Sequence, residues 1–338
     1  MRKWAVLTDD LKFCEITFDG EWYRVRITDE FGQELMTNES ISLQGAKKQV
    51  KRFIGTGQTL KWQEVETDKI ETPSKLHLPF GYLSVSQVRK YLTCPRAYEF
   101  KYVNKLNEPI GSTLVMGRAF HKGMQMASIK KVVDGEILST DDVLDVYSDA
   151  FDQERENNDV DWAEDDPAKV KDDGAKLMQK YYEEMGINAI PMVDDRGLPL
   201  VEREHAFEIV PGLKAKAVID IIEQDGSIRD YKTSKRSPSQ TIIDETIQMP
   251  VYALAYRDIT GQVEKTVGLD YAVNLKKEKK IMRLETDGPV DDGRIERVKQ
   301  TFVGVAKAIS AGIFYPNEES NACGYCSFKD ICKKSKTF

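Results

Sequence analysis

The sequence predicts an α/β fold, helices packed around a central sheet, preceded by a small α+β module. Three observations predict it. From about 84 to 185 the apolar residues recur at helical spacing. Then VEREHAFEIV, LKAKAVIDIIE and SIRDYKT follow one another at strand spacing, divided by Gly212 and by Asp225–Gly226. Beyond 240, helical and strand periods alternate. With 338 residues, one large domain and a small appendage are expected. The 41% hydrophobic and 31% charged content suits a chain that buries a core.

The elements follow in order. KFCEITF and EWYRVRITD flank Asp19–Gly20, a hairpin signal. ISLQGAKKQVKRFI reads as a helix capped by Ser42, with Ala46, Val50, Phe53 and Ile54 as its apolar stripe. Lys47, Lys48, Lys51 and Arg52 share the other face, a candidate DNA contact. This module spans residues 1–70, and the polar stretch 66–75 is the expected linker to a domain over 76–338. SVSQ (84–87) has capping-box spacing, with Val85, Val88 and Leu92 following at helical intervals. Thr93-Cys94-Pro95 ends that helix and begins another, because proline suits a first turn. Helices are expected at about 112–132, 141–156 and 167–185. The three strands come next, then a helix over about 240–258, strands TVGLDYAVNL and KKIMRLET, and a helix over about 289–312.

No apolar run reaches the roughly 18–20 residues of a membrane helix. The first residues carry no apolar segment followed by a small-residue cleavage site, so a cytosolic protein is expected. The net charge of −7 does not by itself suggest a nucleic-acid binder. Acidic residues crowd into 152–173, however, while Lys276, Lys277, Lys279, Lys280, Lys329, Lys333, Lys334 and Lys336 cluster elsewhere. A local groove can be positive on an acidic protein. No G-x-x-x-x-G-K-[ST] pattern occurs, so the chain has no helicase motor of its own.

Two groups of residues could carry chemistry. Asp220 ends an apolar strand, and Asp230-Tyr231-Lys232 lies in the next one across a tight turn. Alternation puts Asp230 and Lys232 on one face. Two carboxylates on neighbouring strands make an oxygen-rich site for Mg²⁺ or Mn²⁺. A lysine beside them can orient water and offset charge on a phosphate. The second group is Cys323-x2-Cys326-x5-Cys332, with Cys94 far upstream. Four thiolates complete a zinc site or a 4Fe–4S cluster, and spacing alone does not separate these. Cys14 lies outside the set and is expected in the core of the small module.

The order SVSQVRKYLTCPRAYEFKY, MGRAFHKG, AVIDII, RDYKTSK, QMPVYALAY, CGYCSFKDIC resembles that of the RecB-like PD-(D/E)xK nucleases, over roughly residues 80–335. That group includes the nuclease domains of RecBCD and AddAB and the CRISPR-associated iron–sulfur exonucleases. The resemblance implies a restriction-endonuclease-like core with a mixed central sheet. It makes His121, Asp220, Asp230 and the Tyr231 carbonyl metal ligands and Lys232 the catalytic lysine. Gln248 and Tyr252 match a Q-x-x-x-Y motif, one helical turn apart on one face; Pro250 between them is expected in the first turn or at a kink. The resemblance favours iron–sulfur over zinc at Cys94, Cys323, Cys326 and Cys332, as a staple joining the first helices to the tail. It departs at Ala217, where the family often has glycine, and at Gln125, where a carboxylate often follows the histidine.

The implied activity is metal-dependent hydrolysis of DNA, by an exonuclease acting on single strands or ends in recombination, repair, or phage or CRISPR DNA processing. A structure- or sequence-specific endonuclease and a catalytically silent DNA-binding subunit are the alternatives. A separate helicase or recombination protein is then the candidate partner. Arg89, Arg96 and Lys235 lie beside the motifs and are candidate phosphate contacts; Tyr91, Tyr98 and Tyr102 are expected to pack.

Overall fold

The computed structural model describes residues 2–7, 13–18, 21–28, 34–55, 60, 62–65 and 76–334. Asp19–Gly20, the stretch 66–75 and Lys336 lie outside them. The chain divides into two compact units, Met1–Glu71 and Thr72–Phe338.

The first unit is an antiparallel sheet with one helix. Its elements are β1 (Arg2–Leu7), β2 (Phe13–Phe18), β3 (Tyr23–Thr28), β4 (Glu34–Ser40), α1 (Leu43–Ile54) and β5 (Gln63–Val65), the strands ordered β4-β3-β2-β1-β5. Strands β2 and β3 pair as the alternating pattern predicts, Phe18 opposite Tyr23. Strands β1, β4 and β5 carry no comparable pattern and were not predicted. Ser42 caps α1, its hydroxyl accepting from Gly45 N at 3.1 Å. Ala46 and Val50 bury against Trp4, Cys14, Ile16, Val25 and Ile27, so Cys14 is a core residue. Phe53, counted in the apolar stripe, is 42% exposed. Helical periodicity marks a face but does not say where along the helix the covering layer ends.

The second unit holds the predicted α/β core. It begins with β6 (Leu83–Ser84), α2 (Val85–Thr93), α3 (Pro95–Tyr98), a π-helical turn at Glu99–Val103, and β7 (Ile110–Gly111). Then come α4 (Ser112–Val133), α5 (Thr140–Asn157), β8 (Val160–Asp161) and α6 (Pro167–Glu184). Three strands follow: β9 (Val201–Val210), β10 (Leu213–Ile222) and β11 (Ile228–Ser234). The order closes with α7 (Thr241–Glu245), α8 (Gln248–Thr260), β12 (Val267–Asn274), β13 (Lys279–Glu285), α9 (Asp292–Ser310) and α10 (Lys329–Lys334). The helix expected over 240–258 is two, broken at Thr246, whose backbone turns extended. Pro250 falls at the third position of α8, inside the first turn, where its missing N–H breaks no helical bond.

The main sheet runs β13-β12-β11-β10-β6, with β9 on β10, and it is mixed: β11–β12 and β10–β6 are parallel, the rest antiparallel. Strand β12, between β13 and β11, is buried along nearly its whole length, which is why it reads as a largely apolar run. Helices α4, α5 and α6 cover one side, packing Phe120, Tyr147, Phe151, Leu177 and Tyr181 over Tyr231 and Ala272. A Cβ at Gly123 of α4 would lie 2.7 Å from Met178 Cε, so glycine permits the close approach of α4 and α6.

Strands β10 and β11 stay paired only next to their turn. Ile222 faces Ile228 and Ile221 faces Arg229; beyond that β10 pairs with β6 instead, at Ala215 and Lys216. The sheet therefore forks at the next position, where Asp220 and Asp230 stand opposite each other.

Candidate active site

The fork exposes polar groups that a continuous ladder would satisfy, and side chains take over that role. Asp220 Oδ2 accepts the Tyr231 N–H at 2.6 Å, standing in for the missing strand partner. Asp220 is 4% exposed and Asp230 2%. Burying two carboxylates is costly unless each is bonded or paired. Asp230 Oδ1 accepts from the Tyr252 hydroxyl at 2.8 Å and from Gln248 Nε2 at 2.7 Å. Its Oδ2 accepts no hydrogen bond and faces the Lys232 ammonium in an ion pair. Alternation along β11 thus places Asp230 and Lys232 on one face, as the sequence predicts.

Gln248 and Tyr252 lie one turn apart on α8 and bond each other at 2.7 Å as well as Asp230. Burial, and the negative charge of Asp230 behind it, push the Tyr252 hydroxyl well above the usual phenol range. It therefore stays protonated and donates. Burial, with Asp220 nearby, also raises Asp230, against the pull of Lys232 and His121. Burial alone would depress Lys232; the two aspartates overcome it and hold its ammonium charged.

His121 arrives from α4. Its Nε2 is 2.8 Å from the Tyr231 carbonyl oxygen, and its Nδ1 lies 3.2 Å from Glu202 Oε1 and 3.3 Å from Asp220 Oδ1. Burial opposes a charge on this imidazole, but Asp220 and Glu202 outweigh it and raise His121 well above its ordinary value. Without a metal, a proton on His121 neutralises part of this cluster.

Glu202 was not singled out from the sequence. It lies near the start of β9 with φ +47, a left-handed conformation that side chains with a Cβ rarely adopt. Such strain concentrates at functional sites. His121, Glu202 and Asp220 each offer a ligand atom within 4.8 Å of the others. The donor set is oxygen-rich with one imidazole, so these residues fit a divalent cation. No local pattern marks Glu202, because its partners lie on α4 and β10. Gln125, where a carboxylate was noted as missing, instead accepts from Lys122 at 2.9 Å.

The expected phosphate contacts have different surroundings. Arg96 pairs with Glu99 at 2.5 Å, and Lys235 pairs with Asp165 at 2.9 Å. Arg89 is exposed, donates to Thr246 Oγ1 and makes no ion pair among the described residues. Tyr91 and Tyr98 pack as expected, 6% and 0% exposed, while Tyr102 is only half-buried.

Cys94, Cys323, Cys326 and Cys332 are unbridged and line a single cavity of about 800 Å³. Cys94 is the residue between α2 and α3, and its Sγ accepts from Asn317 N at 3.4 Å. Around them the tail docks on the first helices: Tyr91 donates to the Ile313 carbonyl at 2.6 Å, Arg96 N to that of Tyr315 at 3.0 Å, and Phe328 packs on Phe100. The sulfurs do not form one of the described groups whose ligand atoms gather within 4.8 Å. Among the described residues, no helix is long and apolar enough to cross a membrane.

Comparison with known proteins agrees with this arrangement. The profile of the PD-(D/E)XK nuclease superfamily matches residues 82–333. The Gene 69 protein of Mycobacterium phage D29 is 26% identical over 269 residues, covering 74% of this chain and 95% of that protein. The Gene 69 protein of Mycobacterium phage L5 is 25% identical over 300 residues, covering 77% and 98%. A crystal structure described as a "Putative exonuclease" from Eubacterium rectale is 13% identical and covers 76% of this chain and 89% of its own, with a TM-score of 0.47.

Proposed function

Since the chain belongs to the PD-(D/E)XK nuclease superfamily, we propose that it is a divalent-metal-dependent deoxyribonuclease, an exonuclease on single-stranded DNA or DNA ends. The observation that carries the reading is the fork itself. Two buried aspartates, a lysine on the same face and a histidine converge where a sheet opens to solvent. A purely structural fork would be cheaper to fill with apolar residues.

His121, Glu202, Asp220, Asp230 and the Tyr231 carbonyl are the groups that would hold Mg²⁺ or Mn²⁺. When bound, the cation supplies Lewis acidity to the phosphoryl oxygen and to the attacking water. His121 would hold the cation as the neutral imidazole, its proton passing to solvent. Lys232 orients the water and offsets charge that develops on the phosphate. Gln248 and Tyr252 hold Asp230 by one oxygen, and its other oxygen faces Lys232. Water adds to phosphorus as the bond to the leaving sugar oxygen breaks; the water loses a proton to solvent, the leaving oxygen takes one up from solvent, and the strand is cut.

For the four cysteines we infer a 4Fe–4S cluster that staples the first helices of the unit to its tail. The support is that all four cysteines line one cavity and that the order of motifs resembles the iron–sulfur members of the family; zinc is the alternative occupant. Both curated relatives are phage gene products, which favours a phage setting over a CRISPR or repair operon.

Digestion of 5′- and 3′-labelled single and double strands with Mg²⁺ and with Mn²⁺ tests the activity and reports its polarity. Cleavage should need the metal, and Asp230→Ala and Lys232→Ala should abolish it with the fold intact. A wild-type rate from clean Asp230→Ala protein would sink the assignment.

A further inference from the structure

Lys232 borders two cavities, each of about 720 Å³, that have no other lining residue in common. One holds His121 and Glu202 and carries the carboxylate of Glu154 on its wall. The other lies between the start of α2, the π-helical turn and the early part of β10. Lys232, Gln248 and Tyr252 on its wall belong to the chemistry described above; its other lining residues do not.

This second cavity is net cationic on a chain whose net charge is −7, although Asp230 already pairs with Lys232. Arg89, Lys90, Lys101, Lys216 and Lys232 line it, against the single carboxylate of Glu204. Lys90 and Lys101 share one counter-ion, Glu108, so the pair retains a positive charge. Glu204 is taken by Lys216, whose ammonium also lies 5.1 Å from the centre of the Tyr82 ring. Tyr82 and Tyr102, both half-buried, supply aromatic wall.

A second, independent feature points to a ligand. Gln87 lines the cavity, is only 5% exposed, and its side-chain Oε1 has no hydrogen-bond partner. The Ser84 hydroxyl caps the Gln87 backbone N–H at 3.3 Å, so that half of the expected capping box forms. In a complete box Oε1 would accept the Ser84 backbone N–H, and here it does not. A buried acceptor left unpaired is unusual in a folded protein and calls for a donor from outside.

Phosphates, a planar base and an N–H donor together describe one ligand class. We propose that this cavity is the subsite for an unpaired nucleotide next to the scissile phosphodiester. Its phosphates lie on Arg89, Lys90 and Lys101, and its base donates an N–H to Gln87 Oε1 beside Tyr82 and Tyr102. The base is unpaired because reaching a side chain only 5% exposed takes it out of a duplex stack. Aromatic side chains accept exposed bases on the same terms. The proposal rests on the nuclease reading, deepens it to single-stranded substrate, and puts that strand on the Lys232 flank away from Glu202.

The test is binding without cleavage. Full-length protein in EDTA is titrated into fluorescein-labelled single-stranded 12-mers, one set normal and one abasic, at several salt concentrations. Arg89→Gln should weaken both sets and shrink the salt slope by about 0.7. Gln87→Leu should weaken the normal strand by about five- to tenfold, as for one lost hydrogen bond, and leave the abasic strand and the slope unchanged. If Gln87→Leu does not fold, Tyr102→Leu gives the same base-dependent loss from the rim. Wild-type affinity and slope for Arg89→Gln and for the base-contact variant would overturn the subsite. If wild type binds strands through these residues but cuts none, the nuclease reading fails and the subsite stands. If wild type cuts DNA and the variants match its affinity and KM, the subsite alone fails.

Discussion

Replacing Tyr252 with phenylalanine removes one oxygen atom and tests whether Asp230 is held by α8 as the structure requires. The ring is 5% exposed, and phenylalanine fills the same space, so no cavity forms. What is lost is the 2.8 Å bond from the hydroxyl to Asp230 Oδ1 and the 2.7 Å bond it accepts from Gln248. A buried hydrogen bond to a charged group contributes about 1.5–3 kcal/mol. Loss of an outer partner of a metal ligand costs about 10–100-fold in affinity or activity, or about 1.4–2.7 kcal/mol. The two routes agree. Calorimetric titration with Mn²⁺ should therefore show affinity lower by about 10–100-fold, with single-turnover cleavage reduced in step. Gln248 donates to the same oxygen, so Gln248→Leu and Tyr252→Phe should not add; their double-mutant coupling should be about 0.5–3 kcal/mol. Wild-type Mn²⁺ affinity in Tyr252→Phe, or strict additivity of the pair, would refute the reasoning.

Three other outcomes follow from the same structure. Glu202→Gln should lower Mn²⁺ affinity by at least about tenfold, read by calorimetry; unchanged affinity would remove Glu202 from the site. Protein purified without oxygen should be brown, and Cys94→Ser should lose the colour, the metal and solubility together; colourless protein with stoichiometric zinc would show the other metal. Replacing Lys47, Lys48, Lys51 and Arg52 with glutamine should weaken single-strand binding and reduce the salt slope by about 0.7 per lost contact, if that face meets phosphates. Lys47 lies 5.6 Å from the Trp62 ring, so its stem is the least free of the four. Unchanged affinity and slope would mark the face as merely solvated.

Much of the fold was legible because it follows from local periods. The strands β9, β10 and β11, the helices α4 to α6 and the caps at Ser42 and Ser84 each depend on side chains within a few residues of one another. The break at Cys94 and the first-turn placement of Pro250 are equally local, since proline constrains its own backbone. Asp230 and Lys232 share a face for the same reason. Asp220 was legible as the end of an apolar strand. Strands β1, β4 and β5 were not, because they lack an alternating pattern; Phe53, at the end of its helix, was placed in the apolar stripe and is exposed.

By itself, then, the sequence determined most elements of the larger unit and the Asp220, Asp230 and Lys232 set, since strand alternation and turn position are properties of short stretches of chain. Only the tertiary structure decided how β10 and β11 separate after two residue pairs, which turns Asp220 into the acceptor for Tyr231 N and opens the cleft beside Lys232. It also decided that Glu202 completes the cluster around His121, and that Gln87 faces a cationic cavity with its acceptor unpaired. The chain separates Glu202 from His121 by 81 positions and Gln87 from Lys216 by far more than any local pattern spans. Such meetings depend on packing three-dimensional layers, and no periodicity in one dimension encodes them.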